Sequence, residues 1–378
     1  MLYSQFGRTG AAVSKLGFGC MRLPTRSAGG RAELDEDEGV RIIRRAAELG
    51  VNYFDTAPAY CDARSEIVLG KALKGMRDKV YVSTKNPLEN ASGDDYERRL
   101  EKSLEKLGMD YIDFYHFWGI SLETFREKAM AKDGPMSRAV RKKEEGVVRH
   151  ISFSFHDAPG RLSQIIREAE GRMESVLCQY NLLDQRLAED IAFAKGQGLG
   201  VAIMGPVGGG RLGEPSPVIK DIMGGAPKST AETALRFVLT NPNVDIALSG
   251  MGTWQMVEEN AAAAGSDMPF APAEIARANE MLSENARLAE LYCTGCNYCM
   301  PCPQDVNIPE VFRLMNYHRV YKITEYARQM YSMIGKAPWM DYADASACVG
   351  CGQCEGKCPQ KLPIREQLRE THAALGGA

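Results

Sequence analysis

The segment KVYVSTKNPLENASGDDYERRLEKSLEKLGMDYIDFYHFW (79–118) reads as strand, helix, strand. KVYVSTK (79–85) and DYIDFYHFW (110–118) are short apolar runs, and YERRLEKSLEKLG (96–108) between them carries a helical pattern. Outward from this unit the alternation continues. SKLGFGCM (14–21) and VNYFDTA (51–57) precede it, with the helical EGVRIIRRAAELG (38–50) between them. VVRHISFSF (147–155), SVLCQYN (175–181), GVAIMGPV (200–207) and VDIALSGM (244–251) follow, with STAETALRFVLTN (229–241) before the last. Strands alternating with helices specify a parallel sheet covered by helices. Eight such units over roughly 250 residues fit a closed (β/α)8 TIM barrel. An open doubly wound sheet would announce its nucleotide site with G-x-G-x-x-G after the first strand, and LGFGCM does not match. The opening LYSQFG and AAVSKL read as a hairpin that plugs the N-terminal face of the barrel.

The expected domains are a barrel over 1–270 and a small, mainly helical domain over 271–378, whose cysteines, given below, make it ferredoxin-like. Helical sequence there includes 271–290, 308–321 and 324–334. The 46 basic and 49 acidic residues nearly balance, which argues against nucleic acid or an anionic membrane as partner. MLYSQFGRTG is not a signal peptide and no run of about 18 apolar residues exists, so a cytoplasmic, non-membrane protein is expected.

Of the 11 cysteines, only Cys20, Cys61 and Cys178 precede residue 292. The others form two runs. Cys293, Cys296, Cys299 and Cys302 are followed by Pro303; Cys348, Cys351, Cys354 and Cys358 are followed by Pro359. The second run has the bacterial ferredoxin spacing, and the first is one residue shorter before its last cysteine. In two-cluster ferredoxins the fourth cysteine of each run serves the other cluster. The expectation is therefore two 4Fe-4S clusters, one on Cys293, Cys296, Cys299 and Cys358, the other on Cys348, Cys351, Cys354 and Cys302. Structural zinc is the alternative, but zinc sites usually separate their C-x2-C pairs by a longer loop.

In a (β/α)8 enzyme the catalytic groups sit at the C-terminal strand ends. Those ends offer Asp55 and Tyr60 after strand two, Lys85 ending strand three, and His116 or Trp118 ending strand four. A phenol titrates near pH ~10. A lysine ammonium beside it is expected to lower that value, and an aspartate to hold the lysine. Such a trio makes a general acid able to protonate an oxygen as hydride reaches carbon. Singly, each has a plainer reading: Asp55 as a loop cap, Tyr60 as core, Lys85 as a solvated charge.

The runs YFDTAPAY (53–60), STK (83–85), ISFSFHD (151–157), QYN (179–181), MGPVGGGRL (204–212) and SGMGTWQMVEEN (249–260) resemble the aldo-keto reductase superfamily over about residues 1–265. With the C-terminal cysteines, the whole chain resembles its bacterial branch with a ferredoxin-type domain. The resemblance implies a nicotinamide nucleotide across the barrel mouth and hydride transfer to a carbonyl or activated C=C bond of a small molecule. It places Asp55, Tyr60 and Lys85 at catalytic positions. The family histidine falls on Trp118 instead, and His116 lies two residues earlier on the same strand face. Trp118 is read as a pocket wall and His116 as a core histidine, or as a catalytic one from a deeper layer.

The resemblance also assigns nucleotide contacts. Ser154 and Gln179 match the carboxamide positions, and Met204 stands where a ring usually stacks. Gly205, Gly208 and Gly209 allow close approach to a pyrophosphate. Ser249, Gly250, Met251 and Gly252 precede a helix near phosphate, and Glu259 and Asn260 match the adenine contacts. The basic pair that holds a 2′-phosphate is replaced by Gly250 and Met256, so NAD is expected to bind at least as well as NADP. The clusters are read as structural or partner-docking, or as feeding the barrel site, with a flavin left open as mediator. A redox protein partner follows from either. A nucleotide-sensing adaptor without catalysis is the remaining reading.

Overall fold

The computed structural model describes the chain apart from residues 29–30, 91, 209–211, 214–215, 217–218, 220–228, 267–268, 291–298, 320, 338–339, 341, 359–360 and 378. The chain divides into two compact units. One holds Met1–Val207 and Ala234–Pro269, the other Gly208–Thr233 and Phe270–Ala378.

The first unit opens on the antiparallel pair β1 (Tyr3–Gln5) and β2 (Ala12–Ser14). Next come β3 (Leu16–Gly19), the antiparallel pair β4 (Thr25–Ala28) and β5 (Arg31–Leu34), β6 (Tyr53–Asp55), β7 (Tyr81–Pro87) and β8 (Ile112–Ile120). β9 (Val148–Phe155), β10 (Ser175–Gln179), β11 (Gly200–Met204) and β12 (Ile246–Gly250) complete the set. Strands β3 and β6 to β12 close into a parallel barrel in chain order, with β12 returning to β3. All eight strands expected from the sequence are present. β7 and β8 run two residues further than their apolar segments, so Lys85 and Trp118 lie just inside the strand ends.

Helices such as Glu36–Glu48 and Gly93–Leu107 cover the barrel. Each starts on a side-chain cap, Asp35 accepting from the Glu38 N–H and Ser92 from the Asp95 N–H. Such caps satisfy backbone donors that lack an intrahelical partner. The hairpin does close the N-terminal end. Phe6 is fully buried among Tyr53, Phe114, Ala202 and Leu248, with Phe6 and Phe114 ring centroids 5.0 Å apart, edge to face. Burying one Phe contributes about 1.5–3 kcal/mol.

The second unit is mainly helical. Ile308–Arg319, Thr324–Ser332 and Ile364–Leu375 share an apolar core around Phe312, Leu314, Tyr331 and Leu368. Among the described residues, no helix is long and apolar enough to cross a membrane.

Candidate active site

Because the eight barrel strands are parallel, their C-terminal ends share one face. Asp55 ends β6, and Lys85 lies in β7, which pairs with it. Lys85 Nζ donates to Asp55 Oδ2 at 2.6 Å and to the Thr56 carbonyl at 2.7 Å. The Ser83 hydroxyl donates to Asp55 Oδ1 at 2.7 Å, so both carboxylate oxygens are engaged. Lys85 Nζ stands 4.7 Å from the Tyr60 ring centroid. The Tyr60 ring meets Trp118 edge to face at 5.8 Å.

Tyr60 is aimed by an uncommon turn. Cys61, Asp62 and Ala63 all adopt left-handed φ, at 51°, 53° and 62°. Each such non-glycine residue costs about 1–3 kcal/mol and persists only where its surroundings enforce it. Here Cys61 Sγ donates to the Cys20 carbonyl, and the Ser65 hydroxyl does so at 2.8 Å.

The electrostatics correct one expectation. Burial raises the Tyr60 phenol above its ordinary value, and Lys85 offsets this only in part. The Tyr60 phenol is therefore neutral and keeps its proton at physiological pH. Lys85 is held above its usual value: burial disfavours the ammonium, but Asp55 and then Tyr60 outweigh it.

His116 lies one strand layer below Trp118, paired with Lys85 across β7 and β8. It is buried, with Nε2 3.9 Å from Asp55 Oδ1; the Phe153 backbone stands beside the ring, but among the described residues neither ring nitrogen makes a well-formed hydrogen bond. Burial and then the Lys85 charge drive its pKa well below the usual imidazole range, so it is neutral. It is buried as a core histidine is, with the Phe153 backbone as a weakly placed hydrogen-bonding group.

The residues assigned to nucleotide contact occupy the same barrel end. The Ser154 hydroxyl accepts from the Gly119 N–H at 2.8 Å, and the Gln179 amide donates to Asp184 at 2.9 Å. Met204 ends β11, and Gly205 follows with φ 62°. Asn260 donates to the Ser249 hydroxyl at 3.1 Å, tying the end of β12 to helix Trp254–Gly265. Gly250 and Gly252 connect those elements around the buried Met251. Glu259 accepts from Gln255 at 2.7 Å. Gly209 lies outside the described residues.

In the second unit Cys302, Cys348, Cys351 and Cys354 line one cavity, with Arg365 beside them. Burial, then the Glu355 charge and the neighbouring Cys348 and Cys302, push the Cys354 thiol up. Four thiol side chains around one cavity match the donor set of a 4Fe-4S cubane. Cys358 is buried in the apolar core against which Cys299 packs. Cys293 and Cys296 lie outside the described residues.

A family model described as the aldo/keto reductase family matches residues 15–283. The chain belongs to the aldo/keto reductase family. A model for a 4Fe-4S dicluster domain matches residues 292–362 of the same chain. L-galactose dehydrogenase of Arabidopsis thaliana is 30% identical over 281 residues, covering 68% of this chain and 86% of the relative. An oxidoreductase of Bacillus subtilis is 25% identical over 295 residues, covering 69% and 90%. The holo structure of an aldo-keto reductase from Bacillus halodurans matches with TM-score 0.62 at 28% identity, over 74% of this chain and 96% of that one. An aldo-keto reductase from Klebsiella pneumoniae, solved with NADP and acetate, shares the fold with TM-score 0.62 at 22% identity, over 74% and 95%. This aldo/keto reductase is thus an oxidoreductase with an appended iron–sulfur domain.

Within the aldo/keto reductase barrel, one further side chain reaches the mouth. His156 follows β9, and its backbone N–H donates to the Ile120 carbonyl at 3.1 Å. The β8–β9 register shifts between Phe117 and Ile120, and Gly119 within that shift takes φ 65° beside the His156 ring. His156 is solvent-exposed, but partial desolvation at the barrel end and then the Lys85 charge lower its pKa, leaving a neutral imidazole. The signal for it was a histidine directly after the apolar run ISFSF, at a C-terminal strand end.

Proposed function

We propose that this enzyme reduces a carbonyl or activated C=C bond of a small molecule with a nicotinamide nucleotide, Tyr60 being the proton donor. The observation that carries the reading is the buried Lys85, held by Asp55 and placed under the Tyr60 ring. When bound, the nucleotide supplies a hydride. Tyr60 gives its phenolic proton to the substrate atom that becomes basic. The Lys85 ammonium faces the phenolate left behind, and solvent restores the proton. Trp118 walls the pocket, and His156 offers a neutral hydrogen bond to a substrate oxygen from the neighbouring strand. Ser154, Gln179 and Met204 would hold the nicotinamide end. The glycines at 205 and 209, the turn Ser249–Gly252, Glu259 and Asn260 would hold the rest. With Gly250 and Met256 uncharged, NAD binds at least as well as NADP.

The organisation we propose is a barrel over 1–270 and a cluster domain over 271–378. Two 4Fe-4S clusters with crossed fourth ligands serve electron transfer or the docking of a redox protein. The four thiols at Cys302, Cys348, Cys351 and Cys354 support the crossing. Purified protein mixed with NADH or NADPH and a panel of aldehydes, ketones and enones tests the reading. Oxidation of the nucleotide by wild type, abolished in Tyr60→Phe, is expected. Equal rates in both proteins would remove Tyr60 from the chemistry.

A further inference from the structure

The sequence around β12 offers no cation for a phosphate, but the barrel closure brings one there. β3 pairs with β12 in the register Gly19↔Gly250. The 3-10 turn Cys20–Arg22 follows β3 directly. A Cβ placed on Gly250 would lie 3.6–3.8 Å from Cβ, Cγ and Cδ of Arg22. The Arg22 stem therefore rests on the bare backbone of Gly250, filling the space that a side chain at 250 would take. A Cβ on Gly252 would lie 3.5 Å from the Arg22 carbonyl, so the turn follows the glycine loop along its length.

The turn is also fixed to the active site. Cys20 accepts from Ser65, and both Cys20 and Met21 accept from Cys61, the residue after Tyr60. Arg22 is exposed, and among the described residues it has no carboxylate or hydrogen-bond partner. Several exposed arginines among the described residues are paired with carboxylates: Arg64 with Glu36, Arg98 with Asp95, Arg126 with Glu168 and Arg365 with Glu355. An arginine with no carboxylate partner, its stem resting on a glycine turn at the barrel mouth, suits a phosphate, which a guanidinium can grip through two parallel N–H bonds.

We infer that Arg22 is a nucleotide-binding residue of this enzyme, its guanidinium pairing with a phosphate of the dinucleotide above Gly250. The inference rests on the nicotinamide reading proposed above. Two phosphate groups share this chemistry, the diphosphate common to NADH and NADPH and the 2′-phosphate of NADPH alone.

Fluorescence titration of the full-length protein with each nucleotide tests it, using wild type, Arg22→Gln and Arg22→Lys. Loss of a charged hydrogen-bond pair should weaken binding by about ten- to hundredfold in Arg22→Gln. Arg22→Lys should recover part of the loss, since it keeps the charge without the fork. The salt dependence of binding should flatten in Arg22→Gln. Equal losses for NADH and NADPH assign the diphosphate; a loss for NADPH alone assigns the 2′-phosphate and reverses the nucleotide preference proposed above. Unchanged affinity for both nucleotides in a folded Arg22→Gln would overturn the role of Arg22 and leave the nicotinamide reading standing. Wild type that binds neither nucleotide would overturn both.

Discussion

Asp55 and Lys85 form a buried ion pair, Oδ2 to Nζ 2.6 Å, with side chains 6% and 2% exposed. Removing one partner leaves an uncompensated charge in the barrel. Lys85→Met should destabilise the protein by about 3–5 kcal/mol, read from denaturant unfolding, as well as stopping turnover. A midpoint within error of wild type would mean that the pair is not desolvated.

The same pair sets a pH limit. The folded-state pKa of Lys85 is raised above the ordinary 10.5. Its contribution is therefore fully present below the unfolded value and lost as pH rises through the folded one. Thermal midpoints should hold from neutral pH to about 10 and then fall. In Lys85→Met that alkaline loss should shrink.

Tyr60→Phe keeps the ring against Trp118 and removes only the proton. Turnover should drop by about 10²–10⁴-fold while nucleotide affinity is unchanged. Because burial holds the Tyr60 phenol above its ordinary value, the alkaline limb of the wild-type rate profile should lie above pH 10. A limb well below that would point to another acid.

Among the described residues, neither ring nitrogen of His116 makes a well-formed hydrogen bond, the Phe153 backbone being poorly placed for one. Replacing such a group by an apolar one relieves an unmet desolvation cost of about 1–3 kcal/mol. His116→Leu should therefore unfold at a higher temperature. Destabilisation would show that a partner satisfies the imidazole. His156→Ala should instead lower kcat with the melting temperature kept.

Anaerobically isolated protein should carry about eight iron and eight sulfide per chain. Cys302→Ser should alter the electron paramagnetic resonance of the cluster on Cys348, Cys351 and Cys354, although Cys302 sits in the other run. Loss confined to the partner cluster would refute the crossing. Zinc in place of iron after anaerobic reconstitution would remove both.

The barrel was legible because each parallel strand, buried on both faces, leaves a short apolar run between polar helices. The β4–β5 pair was not: TRSA and RAEL are four residues each, both carry charge, and only RAEL alternates, over just two apolar residues. Asp55 and Lys85 could be placed from strand ends alone. The aim of Tyr60 could not, since Cys61, Asp62 and Ala63 take glycine-like angles with no glycine among them. The sign of the Tyr60 shift depended on burial that spacing cannot report. Arg22 escaped notice because only barrel closure joins the end of β3 to Gly250.

The meeting of Cys302 with Cys348, Cys351 and Cys354 also bears on biogenesis. With the fourth ligands crossed as proposed, the first cysteine run would leave the ribosome without its fourth partner, one of its own members being reserved for sequence not yet made. Neither metallocentre would then be finished by a local segment. Insertion would wait for the second run, and a truncation between the two runs should leave neither cluster.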